Sequence, residues 1–277
     1  MNVLLALAGS VAALGLAECG LRTVRGGGHG PLPIYASTSP PALIPTTSAV
    51  GLLGARQYSV HLDARGLRTP SSAKGTVLLG DSLAFGLGLD DDETLAARCI
   101  ARGHPMLNAA APGWSAIDAL DRAESLGSIA TDCLLIVNPY DDDAGRLADR
   151  SITVNGWLLA VKSPPWARRF YASPFAGWQI PQDVVGMIGA LRRAPEPRVG
   201  FASVGARIRA FVDAHPETRV VWGGYPSPTL PDGRAVATVR DEVGAPMIDL
   251  ELHDAWLDRD LHWSARGVEQ VAEQLCP

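Results

Sequence analysis

A chain of 277 residues, 47% apolar and 19% charged, has ample material for one large domain and is neither disordered nor fibrous. A net charge of −5 leaves no electrostatic footprint for nucleic acid, which is not expected as a partner. The four cysteines, Cys19, Cys99, Cys133 and Cys276, show no CxxC or metal-finger spacing. No metal site and no disulfide are expected, and Cys133, which opens an apolar run, reads as a buried small hydrophobe.

Residues 1–25 read as a membrane anchor or an uncleaved signal. Residues 3–17 are apolar or small, a run shorter than the ~20 residues of a spanning helix. Residues 3–21 reach about that length if Glu18 is accommodated. No basic residue precedes the run, as a signal peptide would require, and Glu18 occupies the small-residue position of a lipoprotein box before Cys19. A buried helix is the competing reading. Arg22 and Arg25 follow, and the positive-inside rule would then keep the remainder cytoplasmic. Residues 26–55 read as a linker. Gly26-Gly27-Gly28 is flexible, and the five prolines from Pro31 to Pro45 suggest an extended spacer, not a packed element.

The body of the chain, residues 56–277, alternates short apolar runs with helical patterns. A strand over 57–62 leads to a turn at Asp63-Ala64-Arg65-Gly66. Strands follow at 76–79, 106–108, 133–137, 219–222 and 246–250. Helices are expected from Asp90 to about Ala101, then over 116–126, 204–215, 235–243 and 267–275. The acids at Asp90–Glu93 suit a helix start better than a metal site. The fold class is α/β: a flavodoxin-like three-layer α/β/α arrangement with a five-stranded parallel sheet. Residues 147–197 break the rhythm. Trp157, Trp166, Trp178, Phe170, Tyr171 and Phe175 crowd there among prolines. A lid and a membrane- or partner-facing surface are both open readings of this insertion, with core packing for any single Trp.

The first strand of the alternation ends in Leu79-Gly80-Asp81-Ser82. A serine there stands at the C-terminal edge of the sheet, where open α/β folds bind ligands, and near a helix N-terminus. Serine hydrolysis also needs an imidazole and a carboxylate to orient it. The polar segment before the last helix, Asp260-Leu261-His262-Trp263, holds both. No phosphate-cradling glycine loop follows a strand, which disfavours a nucleotide- or flavin-binding protein, and no cofactor is expected.

Gly80-Asp81-Ser82-Leu83 resembles the name motif of the SGNH or GDSL hydrolases. Leu107-Asn108-Ala109-Ala110-Ala111-Pro112-Gly113 is similar to that family's second block, whose glycine N–H serves the oxyanion hole. Asp260-Leu261-His262-Trp263 resembles the last block, in the Asp-x-His-Trp form of the alginate-type O-acetyltransferase and acetylhydrolase branch. Residues 58–68 resemble the strand before the first block in bacterial members with an N-terminal membrane segment. The resemblance implies Ser82 as nucleophile, His262 as base, Asp260 as orienting acid, and oxyanion donors at Ser82 and Gly113. It implies ester hydrolysis or acyl transfer on an extracytoplasmic, periplasmic glycan- or lipid-linked ester, by a protein held to the membrane through residues 3–21.

The third block departs from the family. Gly-x-Asn-Asp is expected, but the chain reads Val137-Asn138-Pro139-Tyr140-Asp141-Asp142, so Asp141 stands where the amide donor belongs. An ionised carboxylate accepts and does not donate. Three outcomes follow: Asp141 is held protonated by burial, Asn138 takes the role, or activity is low or absent. The alternative function is thus a weak or inactive SGNH-like subunit that binds a membrane protein complex.

Overall fold

The computed structural model describes residues 32–38, 42–53, 56–129, 132–139, 145–173, 176, 200–257 and 260–277, with 12–13, 15–18 and 20 near the N-terminus. Most of the segment read as an anchor therefore lies outside the described residues. Among the described residues, no helix is long and apolar enough to cross a membrane.

Two strands open the fold. β1 (Ser48–Leu53) and β2 (Arg56–His61) form an antiparallel pair with Ser48 opposite His61. The central sheet then takes β3 (Thr76–Leu79), β4 (Met106–Asn108), β5 (Cys133–Val137), β8 (Arg219–Trp222) and β9 (Ile248–Asp249). These five strands run parallel in the spatial order β4-β3-β5-β8-β9. Pairing begins with β3, and the crossovers step first to one side and then to the other. The C-terminal ends of β3 and β5, on either side of that reversal, are where an open sheet leaves a crevice.

Alternating side chains bury both faces. Leu78, Leu134, Ile136 and Val221 point to one side. There they meet α2 (Leu95–Ala101) through Leu95, Ala96 and Cys99, and α8 (Ala265–Leu275) through Val268, Val271 and Leu275. Val77, Leu79, Leu135, Val137, Val220 and Trp222 point to the other side. Their partners are α3 (Ala116–Leu126), α6 (Phe201–Ala214) and α7 (Val236–Val243), through Leu120, Phe201, Ile208 and Val239. The chain is thus an α/β protein with a five-stranded parallel sheet flanked by helices.

Three expectations are corrected. Cys99 and Cys276 form a disulfide, with Cα atoms 5.4 Å apart. Its partners lie 177 positions apart and meet only because α8 docks on α2, which sequence spacing does not reveal. The helix expected from Asp90 is broken: a 3-10 turn covers Asp91–Glu93, and extended Thr94 (ψ 158°) restarts the chain as the N-cap of α2. Part of the predicted spacer is packed, since Leu32, Ile34, Tyr35 and Leu43 are buried against the main core. Prolines fix the path of that segment but do not stop the apolar residues between them from docking.

Part of the insertion is described. A short α4 (Leu147–Arg150) leads into an antiparallel hairpin of β6 (Ser151–Val154) and β7 (Trp157–Ala160), followed by α5 (Pro165–Tyr171). Trp157 packs on Tyr171, ring centroids 5.6 Å apart, in a small satellite core with Leu159 and Ala176. Trp166 is exposed. Trp178 and Phe175 lie outside the described residues.

Candidate active site

Parallel strands deliver their following loops to one edge of the sheet. Gly80-Asp81-Ser82 leaves β3, residues 109–113 leave β4, and Asn138 leaves β5. The β3 exit is sharp. Gly80 has φ 141°, and a Cβ there would lie 2.9 Å from the Ile136 carbonyl oxygen, so only glycine lets the turn pass β5. Asp81, fully buried, caps the single turn of α1 (Ser82–Phe85) by accepting from the Leu83 N–H at 2.8 Å. A helix this short has little dipole. Its contribution is local: the Ser82 N–H has no partner among the described residues and is free to donate.

The loop before the last helix brings an imidazole. Ser264 caps α8, and the preceding loop folds back on itself, with Leu257 N–H donating to the His262 carbonyl at 2.8 Å and Ser264 N–H to that of Ala255 at 2.7 Å. Buried Trp263 anchors this loop in the core. His262 Nε2 lies 2.7 Å from Ser82 Oγ, and His262 Nδ1 is hydrogen-bonded to Asp260 Oδ1. Asp260 also accepts from the His262 backbone N–H at 3.0 Å. With Nδ1–H donating to a carboxylate, Nε2 carries a lone pair that can accept the serine proton. The His262 ring beside Asp260 holds that carboxyl below its ordinary range, against an opposing push from partial burial. Ser82, His262 and Asp260 are thus brought into one hydrogen-bonded chain.

The loop after β4 is tied to the end of β3 and the Gly80–Ser82 turn by Ala109 N–H to Leu78 O (2.9 Å) and Ala111 N–H to Gly80 O (3.3 Å). The Gly113 N–H has no partner among the described residues. Its flanking carbonyls are held: Pro112 O accepts from the Tyr35 hydroxyl and Gly113 O from the Arg150 guanidinium. Asp118 accepts from Ser115 N–H and from Leu147 N–H, both at 3.0 Å, joining α3 to the start of the insertion. Asn138 is buried, and its amide donates to Asp81 Oδ2 at 2.8 Å, so one of its N–H groups supports the cap beside Ser82. Asp141 lies outside the described residues.

One residue of this region carried no signal of its own in the sequence. Arg68 is fully buried, and all five of its donors are used. Nε donates to Asp91 at 3.0 Å; Nη1 to the carbonyls of Phe85 (2.9 Å) and Gly86 (2.6 Å); and Nη2 to those of Ser59 (2.9 Å) and Leu89 (2.6 Å). The guanidinium also lies 4.7 Å from the Phe85 ring centroid. It clamps the end of the Ser82–Phe85 turn onto β2. A charged residue just after a turn glycine is ordinary surface chemistry in sequence, and only the fold buries it.

Among the described residues, no group of three or more His, Cys, Asp or Glu side chains is placed to hold a metal ion. No family model matches the chain, and no curated protein matches it.

Proposed function

We propose that the protein is a serine-dependent esterase or acyl-transfer enzyme of SGNH type, acting on an extracytoplasmic glycan- or lipid-linked ester. The Ser82–His262–Asp260 chain of hydrogen bonds carries this reading. Ser82 Oγ attacks the ester carbonyl while His262 Nε2 takes its proton, and ionised Asp260 stabilises the imidazolium. The unpaired N–H groups of Ser82 and Gly113 donate to the developing oxyanion. His262 then returns the proton to the leaving alcohol. Water attacks the acyl-Ser82 intermediate in hydrolysis, and a second alcohol does so in transfer. The flavodoxin-like layering and the Asp-x-His-Trp spacing support this family reading. The Cys99–Cys276 bridge supports a domain that lies outside the reducing cytoplasm, as an anchor at residues 3–21 would place it in the periplasm.

A second reading rests on the altered third block. The Asn138 amide is engaged with Asp81, so that N–H does not stand in for the third oxyanion donor. Losing one donor costs about 10²–10³ in rate, which leaves room for a weak or inactive subunit of a membrane protein complex.

Fluorophosphonate labelling and p-nitrophenyl acetate turnover test the first reading. Labelling and turnover in the wild type, both absent in Ser82→Ala, are expected. A wild-type protein with neither activity refutes it and favours the second.

A further inference from the structure

The Pro112–Gly113 peptide is gripped by a residue that precedes every strand of the central sheet. Tyr35 is 3% exposed, and its hydroxyl donates to the Pro112 carbonyl. Burial pushes the phenol pKa far above its ordinary value, so the hydroxyl keeps its proton and stays a donor. The Pro112–Gly113 bond is trans. In a trans peptide the C=O and N–H lie in one plane and point in opposite directions. Whatever fixes the Pro112 oxygen therefore fixes the direction of the Gly113 N–H, which has no partner of its own among the described residues.

Tyr35 is itself held in place. Its N–H donates to the Gly156 carbonyl at 3.0 Å, and Thr153 Oγ1 donates to the next carbonyl, that of Ala36, at 3.1 Å. Both contacts come from the β6–β7 hairpin. Gly156, at the hairpin turn, has φ 85°, and a Cβ there would stand 2.6 Å from Pro33 O. The turn is therefore built to let the Tyr35 segment lie directly against it.

We infer that Tyr35 is a positioning residue for the oxyanion hole. Its hydroxyl sets the plane of the Pro112–Gly113 peptide so that the Gly113 N–H faces the reacting carbonyl. By polarising the amide, it also strengthens that N–H as a donor. The inference rests on the acyl-transfer reading above. It links the Tyr35 hydroxyl alone, held in place by the β6–β7 hairpin, to the Pro112–Gly113 peptide.

Tyr35→Phe removes one oxygen and keeps the ring. Outright loss of an oxyanion donor costs about 10²–10³ in kcat, so loosening one is expected to lower kcat for p-nitrophenyl acetate about tenfold. KM is expected to stay within about twofold, because the contact matters in the transition state and not in the ground state. Fluorophosphonate labelling of Ser82 should slow in parallel, since phosphonylation develops charge on an oxygen in the same place. Labelling reads only folded protein, so its rate remains informative if the variant is less stable. Ile34→Val is the packing control: Ile34 is fully buried beside Tyr35, and its variant should melt earlier with kcat unchanged. Unchanged kcat and labelling rate in Tyr35→Phe overturn the inference, and so does an equal loss of kcat in Ile34→Val. A wild type without Ser82-dependent turnover or labelling overturns the acyl-transfer reading and this inference with it. The two failures are distinguished by which protein is silent.

Discussion

Removing the Cys99–Cys276 bridge is expected to destabilise the fold without dismantling the site. The bridge closes a loop spanning 177 positions. In the chain-entropy treatment, a loop of that length constrains the unfolded chain by about 5 kcal/mol, and native bridges commonly deliver about 2–4 kcal/mol. Part of the α2–α8 contact survives its loss. Arg102 pairs with Glu269, Arg98 Nε lies 3.5 Å from the same carboxylate, and His104 Nε2 meets the Pro277 carbonyl at 2.8 Å. These exposed pairs are worth about 0–1 kcal/mol each and do not replace the bridge. We therefore expect Cys99→Ser/Cys276→Ser to lose about 2–4 kcal/mol, which for a chain of this size is a fall in Tm of roughly 5–12 °C. Urea unfolding with and without dithiothreitol checks this. Reductant should lower the wild-type midpoint to that of the double variant and leave the variant unmoved. Thiol titration of denatured protein should find Cys99 and Cys276 unreactive until reductant is added. Titration of all four, or a wild-type midpoint insensitive to reductant, would refute the reasoning. The proposed ester-cleaving activity should survive reduction at 25 °C, because neither sulfur touches the Ser82–His262–Asp260 chain.

Two further outcomes follow from single groups. Asp260→Asn keeps the shape of the site but offers the wrong partner to Nδ1–H, and in such triads this costs on the order of 10⁴ in kcat. The same carboxylate has a depressed folded pKa, so its contribution to stability is present above the unfolded value near ~3.9 and is lost as pH falls through the lower folded value. The Tm difference between wild type and Asp260→Asn should accordingly be steady at neutral pH and shrink below about pH 4 in melts taken across a pH series. Arg68→Lys retains the charge but has three donors for five acceptors. It should cost about 3 kcal/mol or more in urea unfolding, and kcat should fall with it because the loop behind Ser82 loosens. Wild-type stability in Arg68→Lys would show that the clamp carries no energy.

The inner strands of the central sheet were legible because they are buried on both faces, and runs such as 133–137 have no surface use. The Asp260–His262 pair was legible because its two members are local and sit before an amphipathic helix. Ser82 stood out through the strand-ending glycine just before it. What escaped depends on distant docking. Cys99 and Cys276 have no common pattern, and Arg68 is marked only by the carbonyls gathered around it. Tyr35 was hidden by its neighbours, since prolines on both sides suggest a spacer while the apolar residues between them pack. The fifth strand, expected over 246–250, pairs only at Ile248–Asp249. Pro246 lacks the N–H to extend the ladder.

The bridge also decides what a protease could do to this molecule. Val161 and Trp166 are exposed on the insertion, and a cut between them leaves Ser82 and Cys99 on one fragment, His262 and Cys276 on the other. Ser82 and His262 would then lie on separate backbones yet still be joined through sulfur. Such a tether keeps the two halves at an effective concentration on the order of millimolar. The nicked protein would migrate as one species until reductant is added, and only then would the Ser82–His262 contact depend on dilution.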